Sequence, residues 1–309
     1  MKNYRVAAYI TAYQEKEALQ KTIAAITKQS YPIEKIFIVD NSNSQIIANN
    51  TQENIIVDFH PENIGVAGGL KIAVSWAIQK GYDFIWLFDQ DSEPDSDVLE
   101  KLLTNYQDLS RNQNIGIIAP AIFDINTKQE FPGCLFTDYK LAPIPGIDAI
   151  QNFYQCDAVI TSGSLININA AKCIELPRVD LFLDAVDYAY CMNFRKQEYK
   201  IIVVKNAMMK HRIGNYSQVK DRFKRYTNTF STFLCSPSRY YYACRNHTFF
   251  ETRIVHKQFL YRSTAYRIKI LLTMMERIIR YEPDSIFIKL WACIVGTFDG
   301  FRGKLGKTW

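Results

Sequence analysis

Through its first 120 residues this chain alternates short apolar runs with polar, helix-like stretches. Val6-Ala7-Ala8-Tyr9-Ile10 predicts a first strand, and Glu15 to Gln29 a polar helix that Ser30-Tyr31-Pro32 ends. Lys35-Ile36-Phe37-Ile38-Val39-Asp40 and Ile55-Ile56-Val57-Asp58-Phe59 predict two further strands, the first followed by the turn-rich Asn41-Ser42-Asn43-Ser44. Asn63-Ile64-Gly65-Val66-Ala67-Gly68-Gly69 opens a helix through Ile78, and Tyr82 to Phe88 is a buried strand. Pro94 suits the first turn of the next helix, and Ile115 to Pro120 is another strand. Strands and helices at this spacing mean βαβ units and a mostly parallel sheet.

The pattern then changes. Phe123 to Gly146 is rich in Pro and Gly and reads as a loop, and Ala158 to Ile166 as a strand carrying small polar residues. Beyond Tyr226 the chain turns aromatic and then helical, with basic residues interleaved among apolar ones from Lys257 to Arg280. The expected organisation is an α/β domain over 1–225 and an aromatic, basic helical region over 226–309. Ile286 to Phe298 is apolar but short and broken by Lys289, so it suits interfacial docking or a dimer contact better than spanning. No uninterrupted apolar run reaches the roughly 18 residues a bilayer requires.

Charge sharpens this division. From Lys210 to Trp309 there are 19 Lys and Arg against 6 Asp and Glu, a net of +13, which leaves −7 for the first 209 residues of a chain at +6. A basic C-terminal third points to an anionic partner such as a membrane surface or polyphosphate, or to a solvated helix face. Nucleic acid fits the charge, but no recognised binding module accompanies it. The seven cysteines are odd in number and contain no Cys-x-x-Cys pair, which argues against a disulfide framework and a zinc site, and for reduced thiols in a cytoplasmic protein. The start shows no signal-peptide pattern.

The candidate chemistry gathers at Asp89-Gln90-Asp91, which closes the apolar strand. In open α/β sheets ligands sit beyond the carboxyl ends of strands. Two carboxylates one residue apart repel unless a cation lies between them, and hard oxygen donors suit Mg²⁺ or Mn²⁺ with phosphate oxygens completing the shell. Asp40, at another strand end, is suited to a base imide or ribose hydroxyl, or to an Asx-turn. The glycines allow close backbone approach to a nucleotide or tight helix–sheet packing. No lysine follows them at Walker spacing.

Taken in order, these segments resemble the family-2 glycosyltransferases of the GT-A fold, and among them the rhamnosyltransferase-like branch. The resemblance covers roughly residues 4 to 215. It implies a GT-A-type, Rossmann-like sheet with flanking helices and a helical C-terminal extension. Thr11, Ala12, Tyr13, Asp40, Asn63, Gly65, Gly68 and Gln90 stand where the family binds nucleotide-sugar, and Asp89, Asp91 and His211 where it holds metal. Phe182-Leu183-Asp184-Ala185-Val186-Asp187 resembles the segment supplying the catalytic base: Asp187 is the base, and Asp184 shares its helical face and orients the acceptor. The implied reaction is an inverting transfer, with dTDP-rhamnose or a UDP-linked sugar as donor and a saccharide or lipid-linked acceptor in surface-polysaccharide synthesis. Peripheral attachment at the inner face of the cell membrane is the implied location. The branch carries a glutamate and an arginine where this chain has Ala189 and Asn193, which keeps a non-catalytic nucleotide-sugar-binding subunit in view. A haloacid-dehalogenase-like phosphatase also uses Asp-x-Asp, but with the strand placed earlier.

Overall fold

A computed structural model describes residues 2–48, 53–223, 230–254 and 257–309. The expected boundary at 225/226 lies outside the described residues. The chain forms two compact units. The first comprises Met1–Leu135, Pro143–Val179 and Asp187–Arg212; the second comprises Phe136–Ala142, Asp180–Val186 and Ile213–Trp309.

The elements follow in chain order: β1 (Val6–Ala12), α1 (Lys16–Thr27), β2 (Lys35–Asp40), β3 (Ile55–Phe59), α2 (Gly65–Lys80), β4 (Phe84–Asp89), β5 (Ser92–Pro94), α3 (Val98–Leu109), β6 (Ile115–Asp124) and β7 (Glu130–Phe131). Next come β8 (Cys134–Phe136), β9 (Leu141–Pro143), β10 (Phe153–Cys156), β11 (Leu165–Asn167), α4 (Ile168–Ala171), α5 (Val186–Lys196) and β12 (Lys200–His211). The C-terminal elements are β13 (Asn215–Val219), β14 (Phe230–Leu234), α6 (Pro237–Ile254), α7 (Leu260–Tyr281) and α8 (Ile286–Arg302).

The first unit is built on a ten-stranded sheet in the order β3-β2-β1-β4-β11-β6-β12-β10, with β5 against β12 and β7 against β6. Strands β3, β2, β1 and β4 are parallel, as are β6 and β12, while β11 runs antiparallel between β4 and β6. Residues Phe84 to Phe88 are all buried, as expected of a strand covered on both faces. Helix α1 packs inward through Leu19, Thr22, Ile23 and Ile26, one stripe at helical spacing. Helix α2 approaches the sheet closely at Gly69, where a Cβ would lie 2.4 Å from the Tyr9 hydroxyl and 3.3 Å from Val39 Cγ1. This is the helix–sheet packing reading of that glycine.

Three expectations change. Pro94 does not open a helix: Ser92-Glu93-Pro94 forms β5, antiparallel to the end of β12, and α3 starts at Val98. The stretch 158–164 is irregular, and only Leu165–Asn167 pairs as a strand, because Gly163 turns the chain at φ +84°. The expected loop 123–146 contains β7, β8 and β9.

In the second unit α6 and α8 touch backbone to backbone. A Cβ on Gly296 would sit 2.4 Å from the Tyr241 carbonyl oxygen, and one on Gly300 2.3 Å from that of Arg245. Tyr240, Tyr241, Tyr242, Cys244, Ile278, Ala292 and Cys293 fill the core around this crossing. No described helix is long and apolar enough to cross a membrane.

Candidate active site

The parallel register sets three strand ends level. Across β1, Ala12 stands opposite Asp40 of β2, and Thr11 opposite Asp89 of β4, so all three meet at the carboxyl edge of the sheet. Opposite β5, His211 of β12 pairs with Ser92, one residue beyond Asp91. A three-residue strand therefore brings a side chain from 120 residues away to the Asp89-Gln90-Asp91 segment.

There, His211 Nδ1 lies 3.4 Å from Asp91 Oδ1 and 3.2 Å from the Ser92 hydroxyl, and its Nε2 lies 3.9 Å from Asp89 Oδ2. Arg212 donates from Nε to Asp91 Oδ2 at 3.2 Å and pairs with Glu15 through Nη2. Burial raises the Asp91 carboxyl above its usual range and Asp89 adds to the rise, while His211 and Arg212 oppose it. Two carboxylates and an imidazole fit a hard divalent cation in donor chemistry. Among the described residues no group of three or more such side chains is arranged to hold a metal ion by itself. A cation here would have to take further oxygens from substrate phosphates or water.

The segment is braced from three sides. Ser162 donates to Asp89 Oδ2 at 2.7 Å and accepts from the Asp89 backbone N–H at 3.0 Å. Thr22 of α1 donates to the Gln90 carbonyl at 2.7 Å and accepts from the Ser92 N–H at 3.1 Å. The Gln90 amide grips the Tyr13 backbone at both groups, accepting from its N–H at 2.6 Å and donating to its carbonyl at 2.9 Å. Gln90 was expected to face the nucleotide-sugar; here its amide is spent on holding the β1 turn. Composition hinted at Ser162 only through the small polar residues of 158–166, and nothing local singled out Thr22.

The other expected nucleotide contacts fall as follows. Asp40 is 1% exposed, and both its oxygens accept backbone N–H groups, from Ser42 at 3.0 Å and Ile46 at 2.9 Å. Its carboxylate shapes the loop after β2, which is the Asx-turn reading, and is not presented to a base or ribose. Thr11 shares a 2.7 Å hydrogen bond with Tyr9. Asn63 takes φ +51° and accepts from the Gly65 N–H at 2.9 Å, so these two residues form the turn into α2. Gly68 lies within the helix, where a Cβ would meet the Ile64 side chain at 2.8 Å.

Asp184 and Asp187 do not share a helical turn. Helix α5 begins at Val186 with Asp187 in its first turn, where a carboxylate meets the positive end of the helix dipole. Asp187 Oδ1 accepts from the Tyr188 N–H at 2.9 Å. Asp184 precedes the helix, in a strap where Phe182, Asp184 and Ala185 all have φ near +60°. In the second unit Arg239 pairs with Asp184 Oδ1 at 3.0 Å, while Oδ2 is buried without a hydrogen bond. Burial raises the Asp184 carboxyl above its usual range and Arg239 opposes the rise.

The strap is held from α6. Asn246 donates to the carbonyls of Leu181 at 2.7 Å, Leu183 and Asp184 at 3.0 Å. Arg245, fully buried, donates to Leu181 at 3.0 Å, to Gly306 at 2.6 Å and to the Thr308 hydroxyl at 3.2 Å. Of the two arginines in the aromatic segment 238–246, Arg245 thus binds mainly backbone carbonyls while Arg239 pairs with Asp184.

Residues 8–140 match the family model described as glycosyl transferase family 2. The chain is 25% identical over 307 residues to dTDP-rhamnosyl transferase RfbF of Shigella flexneri, a match spanning 98% of both chains. It is 24% identical over 128 residues to galactofuranosyltransferase GlfT1 of Mycolicibacterium smegmatis, covering 40% of this chain and 41% of that one. A crystal structure of GalNAc-T7 with UDP, GalNAc and Mn²⁺ superposes with a TM-score of 0.56 at 14% identity, over 68% of this chain and 44% of that one. That likeness speaks to the fold, and this chain corresponds to under half of that protein's length. The chain is a glycosyltransferase with a GT-A-like fold and a family 2 domain over residues 8–140. It is rhamnosyltransferase-like, similar along nearly its whole length to a dTDP-rhamnosyl transferase.

Proposed function

We propose that this enzyme moves rhamnose from dTDP-rhamnose to a saccharide or lipid-linked acceptor, with inversion, during assembly of a cell-surface polysaccharide. Attachment at the inner face of the cell membrane goes with that acceptor. The observation that carries the chemistry is the meeting of His211, brought in by β12 and β5, with Asp89 and Asp91 at the end of β4. End-to-end similarity to a dTDP-rhamnosyl transferase supports the donor.

Asp89, Asp91 and His211 would hold Mg²⁺ or Mn²⁺, which when bound offsets the charge of the departing diphosphate. Arg212, already on Asp91, adds a fixed positive charge for phosphate oxygens. Asp187 takes the proton of the acceptor hydroxyl as that oxygen attacks the anomeric carbon, and the nucleoside diphosphate leaves from the opposite face. Asp184 is assigned to orienting the acceptor.

The test is the melting temperature with dTDP, UDP and GDP, each with and without Mn²⁺. A metal-dependent rise with dTDP is expected in the wild type and in Asp187→Asn, and its loss in Asp91→Asn. Sugar transfer by Asp187→Asn should fall about 10²- to 10⁴-fold. No shift with any nucleotide would overturn the donor site. Full transfer by Asp187→Asn would overturn its role as base.

A further inference from the structure

Helix α8 is built inside out. From Ile286 to Phe298 every exposed position carries a large apolar side chain: Phe287, Ile288, Trp291, Ile294 and Phe298. Phe287 is 88% exposed, Trp291 61% and Phe298 58%. The charged residues before Arg302, Lys289 and Asp299, face inward and are each 5% exposed. Lys289 pairs with Glu282 at 2.8 Å and Asp284 at 2.9 Å, and Asp299 accepts from the Tyr241 hydroxyl at 2.8 Å. Scattered apolar residues on a surface need no explanation, but this set is contiguous. Phe287, Trp291, Ile294 and Phe298 are spaced by four, three and four residues, which aligns them as one stripe along the helix.

The surrounding charge says what covers the stripe. Residues 213–309 carry 17 Lys and Arg against 6 Asp and Glu, a net of +11. Arg302, at the end of the stripe, lays its guanidinium over the Phe298 ring at 5.4 Å, and Lys304 just beyond is 62% exposed. A second copy of this chain would bring a second excess of positive charge against the first, whereas an anionic leaflet complements it. Phe and Trp on an exposed helix face flanked by Arg and Lys match the headgroup–acyl boundary, where rings bury and cations reach phosphate. The helix is too short and carries too many internal charges to span.

We propose that α8 lies in the plane of an anionic bilayer, with the stripe Phe287-Trp291-Ile294-Phe298 sunk to the acyl boundary. This names the element behind the peripheral location proposed above and rests on that location, not on the transfer reaction. The assay reads vesicle binding alone, so the two readings fail separately.

The experiment is flotation of the full chain, at low ionic strength, with vesicles of phosphatidylcholine and with an equimolar mixture of phosphatidylcholine and phosphatidylglycerol. Wild type should float with the mixed vesicles. Phe287→Ser and Trp291→Ser should each lower partitioning about tenfold at unchanged melting temperature, because each withdraws a large apolar side chain from the contact. Trp291→Phe should keep binding while losing the blue shift and the quenching by brominated acyl chains that wild type gives. No flotation of wild type, equal flotation of the serine variants, or indifference to phosphatidylglycerol would overturn the proposal. So would a wild-type dimer that Trp291→Ser dissociates, which would make the stripe an interface between copies.

Discussion

Ser162→Ala isolates how the Asp89 carboxylate is aimed. The Ser162 hydroxyl is fully buried and makes two hydrogen bonds to one residue, donating to Asp89 Oδ2 at 2.7 Å and accepting from its N–H at 3.0 Å. Alanine removes both while leaving the backbone path and Gly163 untouched. A hydrogen bond to a charged group contributes about 1.5–3 kcal/mol and a neutral one about 1 kcal/mol. The Asp89 side chain is 36% exposed, so water replaces part of the lost bond and the lower half of that range applies. The expected destabilisation is about 2–3 kcal/mol, a fall of several degrees in melting temperature. Its functional consequence is separate. Groups that orient a metal-binding carboxylate typically change metal affinity about 10- to 100-fold when removed. Titrating Mn²⁺ at fixed dTDP, with the melting shift as signal, should therefore move the metal midpoint upward by such a factor. A variant that melts earlier but keeps the wild-type metal midpoint would refute the reasoning, since Ser162 would then support the fold without aiming Asp89.

Two further outcomes follow from buried contacts. Gly69→Ala places a Cβ 2.4 Å from the Tyr9 hydroxyl and should cost about 1–3 kcal/mol in urea unfolding. Adding Tyr9→Phe removes the nearest clash, so the pair should cost less than the sum of the single changes; strict additivity would count against α2 being seated through this glycine. His247 is half-buried near Arg267 and Arg239, and lost solvation together with their charges lowers its pKa from 6.5 to about 3. A depressed folded value means that the unfolded chain binds the proton first. Its contribution is complete above pH 6.5 and fades as pH falls toward about 3. Unfolding free energy should therefore fall as pH drops through that window, and His247→Gln should flatten the dependence.

The strands were legible wherever burial on both faces made them continuous apolar runs between turn residues. Lys35–Asp40 has the same bounds in sequence and structure for that reason; Ile55–Phe59 also keeps its bounds, but as a half-exposed edge strand read from its β-branched residues. The Asp89-Gln90-Asp91 segment was legible because it closes such a run. β5 was not: three residues ending in proline carry no periodicity, and their pairing is with a strand 115 residues later. Without it His211 could be tied to Asp91 by resemblance alone. Asp184 misled because spacing of three residues reads as one helix face. The left-handed backbone at Phe182, Asp184 and Ala185 involves neither Gly nor Asn, so no local signal announced it. What stabilises that backbone is Asn246, some 60 residues further on. Asp40 was ambiguous for a different reason, since a carboxylate at a strand end suits an Asx-turn and a ligand equally well.

The guanidinium of Arg245 has a consequence for the order in which the chain can assemble. Two of its acceptors, the Gly306 carbonyl and the Thr308 hydroxyl, leave the ribosome about 120 residues after the strap that the same side chain holds. The sheet can assemble early, since its strands are complete by His211. Arg245 cannot complete its contacts until this late stretch has arrived, because a buried charge missing two partners would not stay in place. A nascent chain can thus carry a finished sheet while the buried guanidinium under the Leu181 strap still lacks two of its acceptors.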